Sequence, residues 1–267
     1  MPAVVLITGA SSGIGKAIAE YLAQKDYRVY GTSRNPKQDQ LNGVHFLTLD
    51  VTQPETVSNA LKRLLQREKR IDFLINNAGK GISGPFEEIP ESELKSIFET
   101  NYFGPLNLIK AVLPSMRAQG SGMIINVTSI AGFMGLPFRS AYSATKGALG
   151  LTTEALRMEL KDFNIKLTNV APGDFATNIA AGRYHVPLKE QSPYSKNYGK
   201  SVAMMDEHVD DGQSPLVMAQ AVHAIMNTEN PKVHYKVGAF MQKFSVFLKG
   251  ILPSKVYERL LLNHYKL

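Results

Sequence analysis

Val4-Val5-Leu6-Ile7-Thr8-Gly9-Ala10-Ser11-Ser12-Gly13-Ile14-Gly15 opens the chain with an unbroken apolar run and a glycine-rich turn, followed by Ala17, Ile18, Tyr21 and Leu22 at helical spacing. A short apolar run bounded by such a turn reads as a strand buried on both faces, the kind found in parallel sheets. Glycines let the backbone turn tightly and approach a pyrophosphate, and a helix starting there offers free N–H groups and the positive end of its dipole. Strand, glycine turn and helix in this order predict an α/β dinucleotide-binding domain, with Gly9, Ser11, Ser12, Gly13, Ile14 and Gly15 at the cofactor.

The alternation continues downstream. Strand-like runs at 28–33, 44–49, 71–75, 122–129, 165–171 and 234–237 alternate with helical patterns near 54–68, 90–118, 141–163 and 215–227. This predicts a doubly wound parallel sheet of about seven strands with helices on both faces. The expected organisation is one Rossmann-type domain over 1–267: a core over 3–240, an aperiodic lid loop over about 174–213, and a helical extension over about 239–267. A loop that long is uncommon unless it is functional.

Ligands of such sheets sit beyond the carboxyl ends of the strands, so the residues there are the candidates. The second strand ends in Ser33-Arg34, where a carboxylate would repel a 2′-phosphate and a guanidinium pairs with one bidentately. NADP(H) is therefore expected over NAD(H). Asp50 and Val51 follow the third strand and are placed to meet the adenine, although an Asp there equally suits capping of its own loop. Asn76-Asn77-Ala78-Gly79 suits a backbone leaving the sheet sharply beside a ligand, with Asn77, Ala78 and Gly79 toward the cofactor. Asn101, a polar residue in an apolar helical stretch, suggests either a helix irregularity or a positioned water. Ser129 ends the fifth strand without the histidine or nucleophile elbow that a serine nucleophile needs, so it reads as a hydrogen-bond donor. Phe133 and Phe138 lie in the apolar loop that follows it.

Ala141-Tyr142-Ser143-Ala144-Thr145-Lys146 then places a tyrosine and a lysine four residues apart on one helix face, ~5–6 Å between their Cβ atoms. An unperturbed phenol has a pKa of ~10, too high for a base near neutrality, whereas a neighbouring ammonium favours the phenolate. The pair can manage a proton.

Composition bounds the alternatives. The 267 residues, 44% hydrophobic and 20% charged, suit a globular chain with a sizeable core. Cysteine is absent, which excludes disulfides, thiolate metal sites and a thiol nucleophile. The six histidines show no ligand spacing, so no metal is expected. No apolar run reaches the ~18 residues that span a bilayer, and the first strand begins too early for a signal peptide, so the cytoplasm is expected. Residues 231–267 hold seven lysines and arginines against Glu258 alone, +6 of the +7 total. Such local basicity argues against nucleic-acid binding and marks a property of the tail. There Phe240, Met241, Phe244, Phe247, Leu248 and Ile251, and then Val256, Tyr257, Leu260 and Leu261, recur at helical spacing. One reading lays their apolar face on the core over the substrate crevice with lysines outward; the sharper one is a basic amphipathic surface on anionic membrane.

Together Thr8-Gly9-x-x-x-Gly13-x-Gly15, Asn76-Asn77-Ala78-Gly79, Asn101, Ser129, Tyr142-x-x-x-Lys146 and Pro172-Gly173 followed by Thr177 resemble the classical short-chain dehydrogenase/reductase family, in its order and spacing over about 3–240. The loop and tail look most like its 17β-hydroxysteroid-dehydrogenase-like subgroup. The resemblance implies Tyr142 as catalytic acid/base, Lys146 as its activator and ribose ligand, Ser129 as anchor of the carbonyl or hydroxyl, and Asn101 as holder of a relay water. It places Pro172, Gly173 and Thr177 at the cofactor, Thr177 near its carboxamide end; Ser129 and Tyr142, with Phe133 and Phe138 of the neighbouring apolar loop, are expected at the substrate. It also implies a homodimer or homotetramer. The expected reaction is NADP(H)-dependent interconversion of a carbonyl and a secondary alcohol on a steroid-, retinoid- or lipid-like substrate. Alternatives are a 3-oxoacyl-carrier-protein reductase, whose acidic partner would suit the basic tail, and a non-catalytic NADP(H) sensor.

Overall fold

The computed structural model describes residues 2–176, 182–210 and 212–267, with the side chains of 206–210 excepted. The elements in chain order are β1 (Val4–Ile7), α1 (Gly13–Ala23), β2 (Arg28–Ser33), β3 (Gln40–Leu41), β4 (Val44–Thr48), α2 (Pro54–Glu68), β5 (Phe73–Asn76), β6 (Ile82–Ser83), α3 (Glu91–Phe98), α4 (Gly104–Gln119), β7 (Gly122–Val127), α5 (Ser140–Glu159), β8 (Ile165–Pro172), β9 (Tyr184–His185), α6 (Ser195–Asp210), α7 (Pro215–Met226), β10 (His234–Val237), α8 (Phe240–Ile251) and α9 (Ser254–Tyr265).

Strand order is β10-β8-β7-β5-β1-β2-β4-β3, and β3 alone runs antiparallel to its neighbour. The chain winds outward from β1 in one direction through β2 and β4, and in the other through β5, β7 and β8. A crevice therefore opens beside β1, where the winding reverses. β1 is buried throughout because its two faces feed two cores. Val4 and Leu6 pack with Leu61 and Leu64 of α2 and with Leu108 and Val112 of α4. Val5 and Ile7 pack with Ile18 and Leu22 of α1 and with Met218 and Val222 of α7.

Three expectations need correction, and one open alternative is decided. The sheet has eight strands rather than about seven, because Asn42-Gly43, both at positive φ (51° and 79°), close a two-residue hairpin between β3 and β4. The helical region 90–118 is interrupted by a wide turn at Glu99–Phe103 that carries Asn101 and lets the chain re-enter helix at Gly104. The expected lid loop contains β9 and α6. Tyr198, Ser201 and Met205 form the buried side of α6, a stripe too narrow and too polar to read as periodic. Finally, α8 turns its aromatic residues to solvent instead of to the core: Phe240 and Phe247 are 72% and 55% exposed. Among the described residues no helix is long and apolar enough to cross a membrane.

A row of polar residues crosses the sheet from the last residue of β5 to the first residue of β10. Asn76, Asn126, Asn169 and His234 stand in register on β5, β7, β8 and β10. Asn76 Nδ2 donates to Asn126 Oδ1 at 2.8 Å, and Asn126 Nδ2 to Thr153 Oγ1 of α5 at 2.9 Å. Thr153 Oγ1 donates to Asn169 Oδ1 at 2.8 Å. A one-residue register slip would leave these amides buried without partners, so the row fixes the pairing that aligns the strand ends. Thr153→Val keeps the shape but strands two buried amide groups. It is expected to cost about 1–3 kcal/mol of unfolding free energy, read as a lowered urea midpoint at unchanged slope.

Candidate active site

A cleft of about 630 Å³ lies at the carboxyl ends of the central strands. Its walls bring together Gly9, Ser11, Ser12, Gly13, Ile14, Ser33, Arg34, Asp50, Val51, Asn77, Ala78, Gly79, Tyr142, Lys146 and Pro172. Gly15, Asn101, Ser129, Phe133, Phe138 and Gly173 are outside that lining, and Thr177 lies outside the described residues.

The cofactor end is built on the glycine turn. Gly9 has φ +67°, a conformation that L side chains rarely adopt. A Cβ on Gly15 would lie 2.3 Å from Gly9 O and from Asn77 Nδ2, so Gly15 serves the close packing of α1 against the turn and not the lining itself. Thr8 Oγ1 accepts from the backbone N–H groups of Asn77 and Ala78, both at 3.0 Å. Asn77 Nδ2 donates to Thr8 O at 2.9 Å and to Gly9 O at 3.2 Å. The end of β5 is thus stitched to the glycine turn. Ser12 caps α1 without a side-chain hydrogen bond, so the first-turn amides are left for a ligand. Arg34 is exposed at the far end, with neither ion pair nor hydrogen bond among the described residues. Asp50 lines the cleft, yet its carboxylate accepts from Thr52 N at 2.9 Å and Thr52 Oγ1 at 2.7 Å, so it caps its own loop. The open turn, the uncapped helix start and the unpaired guanidinium fit a dinucleotide carrying an extra phosphate.

The chemical end is built on α5. Lys146 is 6% exposed, and its Nζ donates to Val127 O at the end of β7 across 2.9 Å. Burial pushes the ammonium below the usual lysine range, while its electrostatic interaction with Tyr142 pulls it back up. Tyr142, one turn earlier, is half-buried with the Arg139 guanidinium 4.9 Å from its ring centre. Ser129 is 8% exposed, and its Oγ accepts from Ala131 N at 3.1 Å. That bond occupies a lone pair and leaves the hydroxyl proton for another acceptor.

Asn101 is fully buried. Its Oδ1 accepts from Lys80 N and its Nδ2 donates to Lys80 O, each at 2.9 Å, with Thr145 Oγ1 a further 3.3 Å partner. Of the two readings open for this residue, the helix irregularity is present, and the amide braces Lys80 against α5. The phenylalanines separate. Phe138 packs with Ile82, Val186, Tyr198 and Tyr142 in one apolar cluster. Phe133 turns toward β10, with its ring centre 5.3 Å from that of His234 and Lys236 Nζ above it at 5.7 Å. Gly173 faces Gln242 of α8.

Sequence reading passed over Lys80 and Arg139. Lys80 lines the cleft while its Nζ donates to Glu93 Oε2 at 3.1 Å and Ser96 Oγ at 2.7 Å. Their positions were the available signals: Lys80 directly follows Asn77-Ala78-Gly79, and Arg139 precedes Tyr142 by three, the spacing of neighbours on a helix face.

A family model described as short chain dehydrogenase matches residues 3–186. Over 258 residues the chain is 38% identical to a 3-ketodihydrosphingosine reductase of Bacteroides thetaiotaomicron, with 96% of each chain covered. Among solved structures, a short-chain dehydrogenase from Streptomyces avermitilis superposes with a TM-score of 0.83 at 34% identity, covering 100% of this chain and 96% of that one. A short chain dehydrogenase from Burkholderia cenocepacia, in complex with NADP, superposes with a TM-score of 0.76 at 28% identity, covering 97% and 98%. The glycine turn, the buried lysine beside Tyr142 and these matches agree, and the chain belongs to the short-chain dehydrogenase family of oxidoreductases.

Proposed function

We propose that the protein interconverts a ketone and a secondary alcohol on a lipophilic, long-chain substrate with NADP(H) as redox partner. The observation that carries this reading is the single cleft running from an unpaired Arg34 to Tyr142 and Lys146. When bound, NADPH supplies the hydride that reduces the carbonyl carbon. Every other part falls to the chain. The glycine turn and the amides of α1 would hold the pyrophosphate, and Arg34 would pair with the 2′-phosphate. Ser129 donates a hydrogen bond from its free hydroxyl to the carbonyl oxygen. Tyr142 delivers a proton to the same oxygen as charge develops there, with the Lys146 ammonium stabilising the phenolate left behind. Asn101 acts as a positioning residue, holding Lys80 and, through Thr145, the turn of α5 that carries Tyr142.

Similarity to a 3-ketodihydrosphingosine reductase supports a lipophilic substrate and favours lipid ketones over the steroids suggested by the tail's likeness to the 17β-hydroxysteroid-dehydrogenase-like subgroup.

Two substitutions test the assignment. Tyr142→Phe is expected to lower kcat by about 10²–10⁴-fold while NADPH binding, measured by calorimetry, stays near wild type; retained turnover refutes the acid/base role. Arg34→Asp is expected to weaken NADPH binding about 10–100-fold and to improve NADH binding. Unchanged NADPH affinity in that variant removes Arg34 from the cofactor site.

A further inference from the structure

We infer that the outward face of α8 docks the protein on an anionic lipid bilayer. Helix α8 is held by one side only. Gln242 Nε2 donates to Asp174 Oδ2 at 2.6 Å, and Gln242 Oε1 accepts from Asp174 N at 3.3 Å. Val246, 8% exposed, packs with Ile130, Met134 and Tyr257. Phe240, Phe244, Phe247 and Ile251 follow one another at spacings of four, three and four residues and so share a different face. They are 72%, 37%, 55% and 60% exposed. The three rings form a row, with centres 5.8 and 6.0 Å apart and planes tilted by only 10° and 25°.

An amphipathic helix packed on a water-soluble body turns its apolar stripe inward. Here Gln242 and Val246 face inward while the aromatic row faces out, and an exposed contiguous apolar patch marks a partner surface. Charge selects the partner. Lys243 is exposed on the same helix, Lys255 and Arg259 are exposed on α9 beside Val256 and Leu260, and residues 231–267 carry a net +6. A second copy meeting this face across a twofold axis would bring two such charges together. An anionic leaflet attracts them and takes up the phenylalanines at the headgroup boundary. The Asp174–Gln242 contact joins α8 to the end of β8, whose Pro172 lines the cleft. The helix that docks is therefore tied, through its inner side, to a strand that lines the cleft.

Docking needs no turnover, so vesicle binding reads it separately from the chemistry. The full chain is sedimented with vesicles of phosphatidylcholine, with and without phosphatidylserine, at low and high salt. The expected result is pelleting with the phosphatidylserine vesicles at low salt, little with phosphatidylcholine alone, and release by salt. Phe244→Ser/Phe247→Ser is expected to weaken binding about tenfold or more with an unchanged circular-dichroism melt. Lys243→Glu gives an independent arm, expected to weaken binding to the anionic vesicles alone, should the double variant melt early. Wild-type protein that stays in the supernatant with phosphatidylserine vesicles overturns the inference, as do variants that bind like wild type. So does a dimer, seen by sedimentation velocity, that dissociates in the phenylalanine variant while vesicles are ignored, since that result gives the face to a second copy.

Discussion

The constraint on which the site rests is the burial of one ammonium. Lys146 lies 6% exposed within α5, and an unpaired cation there would be expensive. It is tolerated because Nζ reaches Val127 O at 2.9 Å and because the phenol of Tyr142 lies within electrostatic reach. That bond joins the middle of a long helix to the end of β7. Tyr142, one turn away, is then presented to the cleft, and Thr145 donates to its carbonyl at 2.8 Å while bonded to Asn101. A Tyr/Lys pair at the same spacing on a solvated helix face would leave the lysine in water.

The opposite end of the cleft follows the same logic with different groups. Thr8 and Asn77 lock the glycine turn to the end of β5 with four hydrogen bonds, and the asparagine row sets the strand register behind them. Apolar packing on the two faces of β1 makes the sheet stable, and buried polar bonds make its carboxyl edge a defined surface. Arg34 is left in solvent, free to meet a charged group that brings its own hydration to be displaced.

Residues whose environment is fixed within a few positions were legible in the sequence. The β1–turn–α1 unit, the strand ends and the Tyr142–Lys146 spacing are of this kind. The Asn42-Gly43 hairpin was also local and was passed over because β3, one of its two strands, is only two residues long. What was not legible depends on contacts distant in sequence. Asn126 and Thr153 look like ordinary polar residues until β5, β7, β8 and α5 are brought together. Phe133 and Phe138 lie five apart in one apolar loop yet end on opposite sides, one against β10 and one beside Tyr142. The period of α8 was visible but its orientation was not, since a hydrophobic stripe does not say whether its partner belongs to the same molecule.

The central claim is that this chain transfers a hydride from NADPH to a lipophilic ketone held by Ser129 and Tyr142. The most direct measurement follows deuterium from NADPH labelled on one face of the nicotinamide C4 during reduction of a panel of long-chain ketones, with products read by mass spectrometry. One deuterium on the carbinol carbon, from one labelled face only and with none acquired there from heavy water, is the result expected. Carbinol hydrogen drawn from solvent, or no alcohol formed from any ketone by protein that binds NADPH, would contradict it.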